Sequence, residues 1–174
     1  YWITFNELNF ASVLPWHAAG LTFEDGDNRE QIMFQAGHHQ MVASALAVKA
    51  AHDRNPDMKI GCMINGVPSY AYTCKPEDVM ESIEANHEIF LYTDVSIRGA
   101  YPSYAARFFS EKGVEINMEP EDAKILAEGC VDFCSLSYYY SRVTPLNPDH
   151  LTNLTGDERM LGLLRNPHLI SSDW

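Results

Sequence analysis

The chain opens on an unbroken aromatic and β-branched run, Tyr1-Trp2-Ile3-Thr4-Phe5, which stops at the polar Asn6-Glu7-Leu8-Asn9. Such a run predicts a buried strand whose functional end carries Asn6 and Glu7. Residues 9–26 hold Pro15, Gly20 and Gly26 among scattered aromatics and read as a long loop, a length at which loops usually carry function or partial order. Asp27-Asn28-Arg29-Glu30 then has the form of a capping box and opens a helix expected to run to about His52. Its apolar stripe passes through Ile32, Ala36, His39, Ala43, Leu46 and Ala50, widened by Met33, Val42, Ala45 and Ala47. A broad face of mostly small residues suits close packing on a sheet. Asn55-Pro56 ends the helix, and Met58 to Ile64 reads as a second strand that surfaces at Asn65-Gly66.

The pattern then repeats. Lys75-Pro76-Glu77-Asp78 places a proline at a first helical position with acids in the first turn, and the helix is expected to reach about Ile89. Its acids, Glu77, Asp78, Glu81, Glu84 and Glu88, read as a solvated face. A further helical stretch from Tyr92 to Glu111 is interrupted by Gly99 and Pro102 and ends at Gly113, and a short helix from Glu119 to Glu128 is closed by Gly129. Val131 to Ser137 is the third strand, running into Tyr138-Tyr139-Tyr140. Residues 141–174 read as loop, with a helical turn near Glu158 to Leu164. Strands that alternate with helical crossovers are parallel. A three-stranded parallel sheet leaves two long edges and uncovered apolar surface. The reading is therefore an α/β fold, an arc of a (β/α)₈ barrel, since the complete barrel takes ~250 residues and this chain has 174.

Composition changes the picture in one respect. Twelve Lys+Arg against 24 Asp+Glu give a net charge of −12, which argues against nucleic acid or an anionic membrane surface as a partner. At 46% hydrophobic and 21% charged the chain has material for an ordered core. No apolar run approaches the roughly 18 residues of a membrane span, and the opening lacks a signal-peptide pattern. Cys62, Cys74, Cys130 and Cys134 include no Cys-x-x-Cys spacing, so reduced thiols and a cytoplasmic setting are expected, with the sequon Asn153-Leu154-Thr155 a chance match. Seven histidines form no ligand-like cluster, and the adjacent His38 and His39 point to different sides of a helix, so no metal is expected.

In a barrel the active site lies at the carboxyl ends of the strands, here Asn6-Glu7, Asn65-Gly66 and Ser137-Tyr138. A carboxylate directly after an apolar aromatic strand singles out Glu7. Asn65 and Ser137 are by placement alone ordinary polar residues where a strand surfaces.

Trp2-Ile3-Thr4-Phe5-Asn6-Glu7 resembles the T-F-N-E motif of the retaining β-glycosidases of glycoside hydrolase family 1. The resemblance continues through Val131 to Tyr139, similar to a sixth-strand segment ending in N-Y-Y, through Gly99-Ala100-Tyr101-Pro102, and to Ser172-Asp173-Trp174. Ser137-Tyr138-Tyr139, the run Cys74 to Val79 and the Ser-Asp-Trp run look most like the bacterial 6-phospho-β-glucosidases. The resemblance implies that these residues are the fourth to sixth strands, with their helices, of one catalytic barrel domain spanning 1–174. It implies that Glu7 is the general acid/base, that Asn6 binds the sugar 2-hydroxyl, and that Tyr138 holds the nucleophile. Ser137 departs from the family asparagine, so that amide's role is not carried over.

The second carboxylate of a retaining enzyme, about 5–5.5 Å from the first, would sit in a Glu-Asn-Gly motif that this chain does not contain. The nucleophile is thus expected outside these residues, and the isolated segment is expected to be inactive. The implied substrate is a phosphorylated disaccharide or an aryl β-glucoside bearing a 6-phosphate, with no cofactor and with a homo-oligomer allowed. Arg142 is the cation closest after a strand end, though it reads more simply as a solvated loop arginine. Trp16, Tyr70, Tyr72 and Trp174 could line an aglycone site or simply pack. The alternatives are a 6-phospho-β-galactosidase, a plain β-glucosidase, or a catalytically inactive sugar-binding or assembly module.

Overall fold

The structure is a computed structural model and describes residues 1–144 and 164–166. The chain forms two compact units, Tyr1–Asn65 with Phe90–Ser137, and Gly66–Ile89 with Tyr138–Trp174.

The first unit is built on a parallel sheet of β1 (Trp2–Ile3), β2 (Ile60–Asn65) and the strand Phe133–Ser137, with β2 in the centre. Trp2 pairs with Ile60, and Gly61 through Asn65 pair with Phe133 through Ser137. All three strands therefore end on the same side, as expected for three successive strands of a barrel. β1 is shorter and more exposed than its apolar run predicts: Tyr1 is 93% and Trp2 66% accessible. The cause is topological, because β1 pairs only with β2 among the described residues and its other edge is bare.

Residues 9–26, expected as loop, hold all but the first residue of a 3₁₀ turn, Leu8–Ser12, and helix α1, Pro15–Ala19. Pro15 opens α1 and Gly20, at φ 64°, closes it in the left-handed region. Helix α2 spans Arg29–Arg54 and is capped by Asn28, whose side chain accepts from the Gln31 N–H at 3.2 Å. Asp27 accepts instead from the Glu24 N–H at 2.7 Å.

The buried face of α2 is Phe34, Gly37, His38, Met41, Ser44, Ala45 and Val48, not the stripe through Ile32, Ala36, His39, Ala43, Leu46 and Ala50. The helix is apolar on both sides, so periodicity does not decide, and close approach does. A Cβ on Gly37 would lie 2.8 Å from the Tyr92 ring, and one on Gly129 would run into the Ala45 backbone. His38 is fully buried and satisfied at both ring nitrogens, by Tyr101 Oη at 3.0 Å and Asp122 Oδ2 at 2.9 Å. One neutral tautomer satisfies both partners, and this is a structural histidine. Burial pushes the Asp122 carboxyl up, but the hydrogen bonds from His38 and the Glu119 N–H outweigh it and hold the group below its ordinary value.

The two helices expected at 76–89 and 92–111 are one continuous helix α3, Pro76–Arg98, followed by α4, Ala105–Glu111. Gly99, at φ 68° and packed on the Ala127 backbone, makes the break. Helix α5 is Asp122–Glu128. Asp78 was expected on a solvated face but is 6% exposed, because it accepts from the Thr73 N–H at 3.0 Å and from the Thr73 hydroxyl.

The second unit holds a small sheet absent from the sequence reading: β3, Ser69–Ala71, pairs in parallel with Arg142–Thr144, which pairs antiparallel with Leu164–Arg165. In chain order the strands at 133–137, 142–144 and 164–165 are β4, β5 and β6. The helical turn expected near Glu158 to Leu164 falls mostly outside the described residues. Asn153-Leu154-Thr155 and Ser172-Asp173-Trp174 lie wholly outside them.

Candidate active site

At the amino ends of β2 and β4, Asp132 accepts from the Ile60 N–H at 2.9 Å, from Lys59 Nζ at 3.0 Å and contacts His52 Nε2 at 2.9 Å. These bonds, the backbone donor foremost, hold its carboxyl down at about 2. Ile60 and Lys59 stand at the start of β2 and His52 in the last turn of α2, so Asp132 ties the strand starts to that helix and this end of the sheet serves stability.

The carboxyl ends are built differently. After Ile3 the chain bends through Thr4, Phe5 and Asn6, with Thr4 Oγ1 anchored 2.6 Å from Ser44 Oγ of α2. Glu7 follows at φ 45° and ψ 61°, in left-handed backbone that a non-glycine residue adopts only where its surroundings impose it. Among the described residues it is alone outside glycine in having positive φ. What imposes the conformation is visible. The Glu7 carbonyl accepts from the Phe10 N–H at 2.8 Å to start the 3₁₀ turn, whose Leu8 and Ala11 are 1% and 0% exposed.

Asn9 then grips the end of β2 with both ends of its side chain. Its Nδ2 donates to the Asn65 carbonyl at 2.9 Å, and its Oδ1 accepts from the Asn65 N–H at 2.8 Å. Both residues are buried. Asn9 was read only as part of a polar stretch; its spacing two after Glu7 carries no sign of a partner 56 positions away.

The Glu7 side chain is 5% exposed, and its Oε1 is buried without a hydrogen-bond partner among the described residues. Buried carboxylate oxygens are almost always bonded, so an unpaired one at the end of a strand, on strained backbone, makes Glu7 the candidate functional position. Asn6 stands beside it and is exposed. Tyr138 follows the end of β4, opens the second unit and is 55% exposed. Asn65 and Ser137 form the last register pair of β2 and β4, with Asn65 taken up by Asn9.

Arg142 is not a solvated loop residue. It lies in β5, with Nε donating to Ser69 Oγ at 2.5 Å, and burial lowers its pKa against the opposing pull of Glu88. Trp16, Tyr70 and Tyr72 expose their rings, at 62%, 56% and 46%, while Trp174 lies outside the described residues. No group of three or more metal-ligating side chains occurs among the described residues, and no helix there is long and apolar enough to cross a membrane.

The glycosyl hydrolase family 1 model matches residues 1–174. The chain is 48% identical to the 6-phospho-beta-glucosidase AscB of Escherichia coli (strain K12), over 100% of this chain and 36% of that protein. It is 46% identical to the aryl-phospho-beta-D-glucosidase BglH of Bacillus subtilis (strain 168), over 100% of this chain and 37% of that one. A solved family 1 β-glucosidase from Thermotoga maritima superposes with a TM-score of 0.66 at 25% identity, covering 85% of this chain and 32% of the other. The chain thus spans little more than a third of the length of the curated relatives it matches, and its parallel strands and helices are a partial barrel. A T-F-N-E strand end, the parallel order β1-β2-β4 and a match along every residue agree: this chain belongs to glycosyl hydrolase family 1.

Proposed function

We propose that residues 1–174 are a segment of a single catalytic barrel domain that hydrolyses 6-phospho-β-D-glucosides with retention of configuration. Glu7 is the general acid that protonates the glycosidic oxygen, and afterwards the base that takes a proton from the attacking water. The observation that carries this reading is the Glu7 carboxylate, buried and unpaired at Oε1, held on left-handed backbone at the carboxyl end of a parallel strand. A fixed, desolvated carboxyl with a free oxygen is prepared to exchange a proton with a bound substrate.

Asn6, exposed beside Glu7, donates to the sugar 2-hydroxyl, and the Tyr138 phenol holds the nucleophilic carboxylate, which lies outside this chain. The segment alone therefore lacks the second carboxylate that double displacement needs. Two carboxylates suffice for the chemistry, so the reading includes no cofactor. The 6-phosphate is favoured over a plain glucoside because relatives named as phospho-glucosidases are 48% and 46% identical, whereas a β-glucosidase of Acetivibrio thermocellus is 27% identical. With net charge −12 and Arg142 bonded to Ser69, the phosphate-binding cations come largely from elsewhere in the domain. Four free thiols support a cytoplasmic setting.

The test uses the full-length protein that carries this segment. Chromogenic aryl 6-phospho-β-glucoside should be hydrolysed far faster than the galacto isomer or the unphosphorylated glucoside. Equal rates on the plain and phosphorylated substrates would refute the phosphate preference and leave the glycosidase reading standing.

A further inference from the structure

Cys62 and Cys134 are a register pair of β2 and β4, 72 positions apart in sequence, with their sulfurs 3.1 Å from one another. Residues directly opposed across a parallel pair project to the same face, and neighbouring strands run about 4.7–4.9 Å apart. That separation falls inside the Cα–Cα window of a disulfide, ~4.4–6.8 Å. Within this segment Cys62 is 0% exposed, and Cys134, on the outer strand, is the more accessible of the two sulfurs. From this geometry we propose that Cys62 and Cys134 form a peroxide-oxidisable dithiol, Cys134 being the attacking thiol and Cys62 the resolving one.

The proton distribution supports the assignment of roles. The hydrogen bond between the two sulfurs, together with burial, pushes Cys62 up, while the same bond pulls Cys134 down against burial. The oxidant is a hydroperoxide. The Cys134 thiolate attacks the peroxide oxygen, an S–O bond forms, the O–O bond breaks, and the departing hydroxide takes a proton to leave as water. Sulfur is thereby oxidised by two electrons to the sulfenic acid, and the peroxide is reduced. Cys62 then loses its proton and attacks the Cys134 sulfur; the S–S bond forms, the S–O bond breaks, and the second water departs. Overall, two thiols and one peroxide give one disulfide and two waters. The product staples β2 to β4, whose last paired residues are Asn65 and Ser137. This inference is independent of the glycosidase reading.

The experiment titrates the reduced full-length protein that carries this segment with hydrogen peroxide at neutral pH and follows intact mass and proteolytic peptides. The expected result is a loss of two hydrogens, a Cys62–Cys134 linked peptide, and full reversal by dithiothreitol. Limited iodoacetamide should label Cys134 roughly tenfold faster than the exposed Cys74. Cys134→Ser should abolish the linked species. Cys62→Ser should convert the end product to stepwise oxygen adducts on Cys134. Oxygen adducts on Cys134 in the unaltered chain with Cys62 still alkylatable after unfolding, or linkage through Cys74 or Cys130, would overturn the proposal.

Discussion

At the scale of single residues, Glu7 and Asn9 divide the work at the end of β1. Glu7 presents an unpaired, buried oxygen; Asn9 fixes the turn that presents it, through two hydrogen bonds to the Asn65 peptide. The proposed acid/base role of Glu7 predicts that Asn9→Ala in the full-length protein lowers kcat with little change in KM and destabilises the fold by about 1–3 kcal/mol. Steady-state kinetics and urea titration check the two effects separately. At the opposite end of the sheet, Asp132 has a folded pKa of about 2, depressed from ~3.9 in the unfolded chain. Its contribution to stability is therefore complete above pH ~4 and is lost as pH falls through ~2. Asp132→Asn should flatten that acid limb in a series of urea titrations from pH 5 to 2; an unchanged slope would show that the Ile60, Lys59 and His52 contacts do not stabilise the fold. The motif at Thr4 to Glu7 was legible from sequence because it is contiguous. The Asn9 grip was not, since it joins residues brought together only by the sheet.

At the scale of elements, helix α2 shows what hydrophobic periodicity can and cannot decide. Its existence, start and approximate end followed from the capping residues and Asn55-Pro56, but the buried face did not. Leu46 is 48% exposed while Gly37, His38 and Ser44 are buried. Small residues are chosen there for contact distance, and a polar His38 is accommodated by Tyr101 and Asp122. Hydrophobicity measures neither. Gly129 makes the same point: a Cβ there would meet Ala45 backbone rather than a movable side chain. Gly129→Ala is predicted to cost at least 1–3 kcal/mol, against the slight stabilisation that the change gives where space is free. Thermal unfolding decides between them. The short strands β3, β5 and β6 escaped the sequence reading for a related reason, as two or three residues are too few to display an alternating pattern, and only their partners make them strands.

At the scale of the whole molecule, β1-β2-β4 is a parallel sheet whose outer edges are unpaired among the described residues, in a chain that spans about a third of its relatives. Three strands in succession, all ending on one side, were legible as the arc of a barrel because helical segments separate each strand from the next. The chain contains no Glu-Asn-Gly sequence, and the second carboxylate is accordingly proposed to lie outside these residues. It follows that the 174-residue chain alone should release no sugar from an aryl 6-phospho-β-glucoside above the buffer rate, whereas the full-length protein should turn it over. The central claim is that Glu7 is the acid/base, and its most direct test is the Glu7→Gln variant of the full-length enzyme, assayed on aryl 6-phospho-β-glucosides of graded leaving-group acidity with and without azide. The account predicts a loss of several orders of magnitude on poor leaving groups, a much smaller loss on activated ones, and restoration by azide with a β-glycosyl azide as product. Activity within a few-fold of the unaltered enzyme on the poorest leaving group would contradict it.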